Sequence, residues 1–230
     1  MASFPPRKAG MLNAIRQLLP QCDKFCLWLN DYTEIPKELD KFDKSKLHVV
    51  LAGKDSDLKE NGRYLFINEN KDSYFLSVDD DINYPANYVA RTIGEINNYG
   101  QKCILSFHGT IFDRNMNEKY FPFSADVPKD VQVHRVGGGV MGFVPSEIGF
   151  TCPDISALRE WDGDASISVW ATNNNIKKYV IAHSAVYLTE QVDTSSKKKM
   201  SHVNALCLNS NTKKKRKKIY EQVKEWEKLA

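Results

Sequence analysis

Short apolar runs alternate with helical patterns along this chain, and this alternation limits its possible folds more than any other feature. The apolar runs cover residues 25–29, 47–53, 64–67, 74–78, 103–107 and 179–182. Helical patterns cover 11–19 before Pro20, 88–99 before Gly100, and 164–173. Strands that alternate with helices predict an α/β fold with a central, mostly parallel sheet flanked by helices.

Charge is divided unevenly along the 230 residues, a length that suits one domain plus an appendage. Residues 197–230 hold eleven Lys or Arg and three Glu, a balance of +8, which leaves −5 for the rest of a chain whose net charge is +3. We therefore expect a domain at 1–190 and a basic segment at 191–230. The end of this segment predicts an amphipathic helix with apolar residues at Ile219, Tyr220, Val223, Trp226 and Leu229.

The composition is that of a folded globular protein, with 42% apolar and 27% charged residues. No run approaches the roughly 18 apolar residues of a membrane span. Residues 1–7 lack the apolar core of a signal peptide. Five scattered cysteines include no second pair that would complete a zinc site. We expect a cytoplasmic protein with reduced thiols.

Three aspartates, Asp79, Asp80 and Asp81, directly follow the apolar run 74–78. Open α/β sheets bind their ligands at the carboxyl ends of strands. Alternation along an extended chain sends Asp79 and Asp81 to one side and Asp80 to the other. Two carboxylates on one side suit Mg2+ or Mn2+, which bind one or two carboxylates together with phosphates and water. A solvated turn before a helix is the alternative.

The segment Ser-Val-Asp-Asp-Asp-Ile-X-Tyr-Pro resembles the Asp-X-Asp region of bacterial glycosyltransferases of the inverting family 2 type. The likeness is greatest to members that build capsular polysaccharide and lipopolysaccharide. Other similar segments follow the same order, and together they cover residues 1 to about 190. These segments are 2–7 with 18–23, 29–36, 57–64, 106–109, 137–141 and 164–168.

The resemblance implies the glycosyltransferase A fold, a Rossmann-like sheet that binds a nucleotide-diphosphate sugar, here a UDP-sugar, and one Mn2+ or Mg2+. Asp79 and Asp81 would flank the ribose and diphosphate, with Asp81 as the main metal ligand and Asp80 beside the donor. His183 would complete the metal shell, although a lone histidine is more often structural. The metal would act as a Lewis acid on the departing nucleoside diphosphate.

The resemblance also implies the walls of the nucleotide site. Pro5 and Arg7 would line the uridine pocket. Asp55, Asp57 and Arg63 would hold the uracil ring and form the adjoining wall of the nucleotide site. The family has a Gly-Asp pair and a Lys where this chain has Lys54-Asp55 and Arg63, so the base contact departs from the family pattern.

Two glycines and two acidic residues complete the site that the resemblance implies. Gly138 and Gly139 would let the backbone approach the donor sugar or acceptor, although a bend in a strand explains them equally well. Inverting transfer requires a general base. Asp164 matches the family's base, with Asp162 in reserve; an ordinary carboxylate at a helix N-terminus is the alternative.

These residues predict a hexosyl- or N-acetylhexosaminyltransferase that acts on a saccharide or lipid-linked saccharide acceptor in surface polysaccharide synthesis. The basic segment predicts peripheral contact with the anionic inner face of the cytoplasmic membrane; a merely solvated tail, or contact with a neighbouring domain of a longer chain, is the alternative. No nucleic-acid partner is expected, because the body is acidic. The alternatives are a nucleotidyltransferase of similar architecture and an inactive glycosyltransferase-like adaptor.

Overall fold

A computed structural model of the chain describes residues 1–53, 58–192, 210–223, 226 and 229. The strands are β1 (Ala2–Ser3), β2 (Phe25–Leu29), β3 (Leu47–Leu51), β4 (Phe75–Val78), β5 (Ile82–Asn83), β6 (Cys103–Ser106), β7 (Gly109–Phe112), β8 (Glu118–Phe121), β9 (Val131–Gln132), β10 (Arg135–Val136), β11 (Val140–Phe143), β12 (Lys177–Val180) and β13 (Thr189–Glu190). The α-helices are α1 (Lys8–Leu18), α2 (Tyr88–Asn98), α3 (Pro145–Ile148), α4 (Ile155–Glu160), α5 (Gly163–Asn173) and α6 (Ser210–Tyr220). Helices of the 3₁₀ type cover Pro5–Arg7, Leu19–Gln21, Lys37–Lys41 and Lys59–Glu69.

The N-terminal part of the chain forms a parallel sheet in the order β1-β2-β3. The central strand β2 pairs in parallel with both neighbours. Its sequence is an unbroken apolar run because a strand enclosed by helices on both faces has no solvent side. The chain leaves β1 through the 3₁₀ turn Pro5–Arg7 and enters α1, which places Arg7 at the end of this sheet.

A five-stranded sheet follows in the order β4-β11-β6-β12-β9. β6 and β12 are parallel, whereas β11 runs antiparallel to both β4 and β6. A smaller sheet, β10-β7-β8, and the two-stranded ribbon β13-β5 flank it. The α/β architecture with a parallel sheet and flanking helices is as the sequence predicts.

The first two long helices form where the sequence predicts helices, and each buries one face. α1 buries Ala14 and Leu18 one turn apart and ends before Pro20. α2 buries Tyr88, Thr92 and Ile96 at intervals of four residues. No helix in the described part of the chain combines the length and the apolar character that crossing a membrane requires.

The chain forms a C-terminal basic helix, but this helix lies earlier in the sequence than the apolar spacing indicates. α6 covers the lysine run and ends at Tyr220, whereas the apolar spacing predicted a helix from Ile219 onward. A lysine-rich helix is possible here because part of its surface contacts the body. Lys214, Lys217 and Lys218 are exposed, while Ile219 is buried against α5.

Replacing Ile219 with Ala should lower the free energy of unfolding by about 2 kcal/mol, because the side chain is only 7% exposed and packs with Ala165 and Val169. Urea denaturation measures the change. Ile155→Ala provides the matched control: that side chain is 45% exposed, and its loss should cost less than about 0.5 kcal/mol. Equal costs for the two variants would contradict the docking of α6 on α5.

Candidate functional site

The pairing of β4 with β11 places Asp79 beside the glycine segment 137–139. Val78 pairs with Val140 at the end of this antiparallel ladder. One residue further along, the Asp79 N–H donates to the Gly139 carbonyl at 3.2 Å. A Cβ at position 139 would lie 1.9 Å from Asp79 Oδ2, so only glycine leaves room for this carboxylate.

Two side chains hold Asp79 in this position. Arg63, which is buried in the 3₁₀ helix Lys59–Glu69, donates from Nη1 to Asp79 Oδ1 at 2.6 Å. The Tyr84 hydroxyl accepts the Asp79 N–H at 2.8 Å and donates to the Gly139 carbonyl at 2.9 Å. Burial raises the pKa of Asp79, but the charge and hydrogen bond of Arg63 outweigh this effect and bring the pKa below its ordinary value.

Asp80 and Asp81 share a second arginine. Arg7 Nη1 lies 3.0 Å from Asp80 Oδ1 and 3.1 Å from Asp81 Oδ2. Asp80 is 2% exposed and also accepts the Ser3 hydroxyl at 2.6 Å, so its carboxylate ties the end of β4 to β1. Burial raises the pKa of Asp80 in spite of both partners. Asp80 therefore points toward β1 and away from the glycine segment.

Two arginines face three carboxylates at the end of β4, which leaves one negative charge in excess. Burial and the charge of Asp79 raise the pKa of Asp81 to about 7, against the opposing charge of Arg7. A proton or a cation at Asp81 relieves this repulsion. The cluster thus carries the surplus of negative charge that a divalent cation neutralises.

The described residues fit a metal held by two carboxylates, but not the predicted set that included His183. In the ranges that the structure describes, no three His, Cys, Asp or Glu side chains are placed to hold one metal ion. His183 Nδ1 lies 2.6 Å from the Ile181 carbonyl, its Nε2 is buried without a hydrogen bond, and its ring packs edge-on against Phe107. Asp79 and Asp81 remain, and two carboxylates are a usual protein contribution to a Mg2+ or Mn2+ shell.

Helix α5 begins where the sequence predicts, and its first turn brings Asp164 to the same glycine segment. The Gly138 N–H donates to Asp164 Oδ1 at 2.7 Å. A Cβ at position 138 would lie 2.4 Å from that oxygen. Each of two successive glycines therefore has one carboxylate packed against its backbone: Asp164 packs on Gly138 and Asp79 packs on Gly139. The sequence predicted a close approach to a sugar here; the structure shows a close approach to two acidic side chains.

His108 packs on the third glycine of the segment. A Cβ at Gly137 would lie 1.2 Å from His108 Nε2, which is buried and makes no hydrogen bond. The other ring nitrogen, Nδ1, lies 2.9 Å from the Tyr120 hydroxyl. Burial lowers the pKa of His108, so a neutral imidazole closes this side of the glycine segment.

Asp162, the reserve candidate for the base, is paired with the C-terminal helix. Arg216 Nε on α6 lies 2.9 Å from Asp162 Oδ1 and 3.0 Å from Oδ2. Asp162 as a whole residue is 4% exposed, and burial raises the pKa of its carboxyl group in spite of Arg216. A buried carboxylate whose two oxygens face a guanidinium is poorly placed to accept a substrate proton. The geometry favours Asp164 over Asp162.

The structure gathers most of the residues that the sequence singled out. Pro5 is exposed at the start of the turn that carries Arg7. Asp55 and Asp57 lie outside the described residues. The gathered residues are Arg7, Arg63, Asp79, Asp80, Asp81, Gly138, Gly139 and Asp164.

Sequence reasoning missed three residues that organise the site. Tyr84 joins Asp79 to Gly139, and the Tyr-Pro pair after the aspartates was its only signal. Ser3 binds Asp80 from β1, and Arg216 binds Asp162 from α6. Neither pairing has a local sequence signal, because 77 and 54 residues separate the partners.

Comparisons with known proteins bear on the fold. No family model matches the chain, and no curated protein matches it. A crystal structure of GalNAc-T7 with UDP, GalNAc and Mn2+ matches with a TM-score of 0.54 at 12% sequence identity. The match covers 74% of this chain and 38% of that one. The chain has a glycosyltransferase A fold.

Within this glycosyltransferase A fold, the acidic cluster lies at the carboxyl end of β4, where open α/β sheets place their ligands. At 12% identity the likeness to GalNAc-T7 shows the fold alone. The present chain spans about 38% of the length of that protein. Membership of bacterial family 2 and a role in capsule or lipopolysaccharide synthesis therefore stay predictions.

The raised pKa of Asp81 predicts the pH dependence of stability. Because the folded protein holds this proton more tightly than the unfolded chain, Asp81 should lower the free energy of unfolding as pH rises from 3.8 to about 7. In urea denaturation across this range, the free energy of unfolding of Asp81→Asn should fall less, or rise more, with pH than that of the wild type. Asp72→Asn, at an exposed position, should keep the wild-type profile. An Asp81→Asn profile identical to the wild type would contradict the excess charge.

Proposed function

We propose that the chain is a metal-dependent inverting glycosyltransferase that moves a sugar from a nucleotide-diphosphate sugar, with a UDP-sugar as donor, to a hydroxyl of a saccharide acceptor. One observation carries the proposal: Asp79 and Asp164 lie on successive glycines, Gly139 and Gly138. A donor-binding acidic cluster and a candidate base thus adjoin the same three-residue segment.

The donor side of this arrangement is the charged end of β4. When bound, Mn2+ or Mg2+ would be held by Asp79 and Asp81 and would neutralise the charge that develops on the nucleoside diphosphate as it leaves. Arg7 and Arg63 supply the fixed positive charges of the cluster and keep Asp79 and Asp80 in place.

The acceptor side is the first turn of α5. One oxygen of Asp164 accepts the Gly138 N–H, which orients the carboxylate and leaves Oδ2 for a substrate. In the proposed displacement the acceptor oxygen bonds to the anomeric carbon, the bond from that carbon to the diphosphate oxygen breaks, and Asp164 takes the acceptor hydroxyl proton. Attack from the face opposite the leaving group inverts the anomeric configuration.

The finer assignments rest on the resemblance in sequence. They are a hexosyl or N-acetylhexosaminyl donor, a saccharide or lipid-linked saccharide acceptor, and a place in surface polysaccharide synthesis. Contact with an anionic membrane also stays a prediction, for which vesicle sedimentation is the direct assay. Because Ile219 packs on the body, that contact would depend on the exposed Lys214, Lys217 and Lys218 rather than on an inserted apolar face.

Neither alternative has a specific observation in its favour. Nucleotidyltransferases of similar architecture open with a glycine-rich phosphate loop, whereas β1 is followed here by Pro5, Pro6 and Arg7. An inactive adaptor would not need Asp79 and Asp164, each packed against its own glycine.

Replacing Asp164 with Asn should reduce transfer by about 10²- to 10⁴-fold, because the amide cannot accept the acceptor proton. Binding of UDP with Mn2+ should be unchanged, since the donor cluster is intact. Transfer is measured as release of UDP from a panel of UDP-sugars with saccharide acceptors, and binding is measured by calorimetry.

Asp154→Asn is the matched control for this substitution. Asp154 also lies at a helix N-terminus, where it accepts the Ala157 N–H, and asparagine caps a helix equally well. Its transfer rate should equal that of the wild type. A fully active Asp164→Asn variant would exclude Asp164 as the base.

A further inference from the structure

The C-terminal helix α6 reaches back to the start of α5, the helix that carries the proposed base. Ile219 packs against Ala165 and Val169 of α5. Tyr220 accepts a hydrogen bond of 2.8 Å from Nη1 of Arg135, which lies two residues before the glycine segment. α6 therefore contacts both structures that hold Asp164 in place.

Arg216 pairs with a buried carboxylate of the body. Its Nε lies 2.9 and 3.0 Å from the two oxygens of Asp162, the residue immediately before α5. The Asp162 side chain is 5% exposed and that of Arg216 is 25% exposed, so the pair is shielded from water. A buried carboxylate that loses its cation is left with an uncompensated charge, which is strongly unfavourable.

The turn between α4 and α5 is fastened from two directions. Lys215 Nζ donates to the Arg159 carbonyl at 3.1 Å and to the Trp161 carbonyl at 2.9 Å. From the 3₁₀ helix Lys59–Glu69, Asn61 Nδ2 donates to the Trp161 carbonyl at 2.9 Å. Arg216 then binds the next residue, Asp162. The position of the first turn of α5 thus depends on two neighbouring side chains of α6.

Within α5 the contact with Asp162 continues toward the glycine segment. The Asp162 carbonyl accepts the Ser166 N–H at 2.8 Å, and the Ser166 hydroxyl accepts the Asp162 N–H at 3.0 Å. Asp164 lies between these two residues. A turn closed by reciprocal hydrogen bonds moves as a unit, so a shift of Asp162 displaces Asp164 from Gly138.

We propose that Arg216 is a positioning residue for transfer: its ion pair with Asp162 fixes the first turn of α5 and keeps Asp164 against Gly138. This inference rests on the proposed role of Asp164 and assigns to the basic helix α6 a part in the active site. The exposed Lys214, Lys217 and Lys218 play no part in it.

Arg216→Gln should lower kcat about tenfold or more and leave the KM for the donor and the affinity for UDP with Mn2+ unchanged, because misplacing a reacting group by about 1 Å costs up to about 10²-fold. Arg216→Lys should recover part of the loss, since an ammonium restores the charge without the planar guanidinium. Arg114→Gln, which removes an exposed arginine, should keep the wild-type kcat. A folded Arg216→Gln variant with wild-type kcat would overturn the proposal.

The double variant Asp162→Asn/Arg216→Gln covers the case in which Arg216→Gln does not fold. It contains no unpaired buried charge, so it should fold and bind UDP, but its kcat should stay about tenfold low because the ion pair that fixes Asp162 is absent. A wild-type kcat in this folded double variant would also overturn the proposal.

Amide hydrogen exchange separates this inference from the proposed function. In Arg216→Gln or the double variant, the Gly138 N–H should exchange about tenfold faster than in the wild type, because it loses its acceptor on Asp164. This readout needs no substrate. If the wild type transfers no sugar, the proposed function fails, and the exchange rate of Gly138 still decides whether Arg216 positions Asp164; an unchanged rate would refute it.

Discussion

Three consecutive carboxylates at the end of β4, opposed by two arginines, are the constraint on which the rest of the site depends. Arg63 comes from the 3₁₀ helix Lys59–Glu69 and Arg7 from the turn after β1. Neutralising the aspartates therefore draws three separate segments to one point. The compensation is incomplete, and burial together with the charge of Asp79 raises the pKa of Asp81 to about 7. The arginines hold this acidic cluster in place, and its remaining negative charge can still bind a cation.

The glycine segment connects this cluster to the opposite side of the site. Gly139 accommodates Asp79, Gly138 accommodates Asp164, and Gly137 accommodates the His108 ring. Each contact excludes a Cβ, so the three glycines are explained by what packs on them rather than by turns in the backbone. The same segment follows Arg135, which binds Tyr220 of α6. The donor cluster, the proposed base and the C-terminal helix thus meet on one short stretch of chain.

Local patterns in the sequence predict the features that depend on local physics. The apolar run at 25–29 is β2, the spacing in 88–99 is helix α2, and α5 starts beside Asp164. Pairings between distant residues could not be predicted in this way. Nothing near Asp162 signals Arg216, and the apolar spacing at 219–229 does not indicate that the preceding lysine run forms α6. His183 was expected at the metal from the resemblance in sequence, but hydrogen bonding to Ile181 holds its ring in the core.

The central claim is that the end of β4 binds a nucleotide diphosphate together with a divalent cation. Calorimetric titration of the full chain with UDP, with and without Mn2+, tests it most directly. The account predicts that Mn2+ tightens UDP binding at least about tenfold and that Asp81→Ala removes this gain, because Asp79 and Asp81 would hold the cation that offsets the charge of the diphosphate. Equal UDP affinity with and without Mn2+, or no UDP binding in either case, would contradict it.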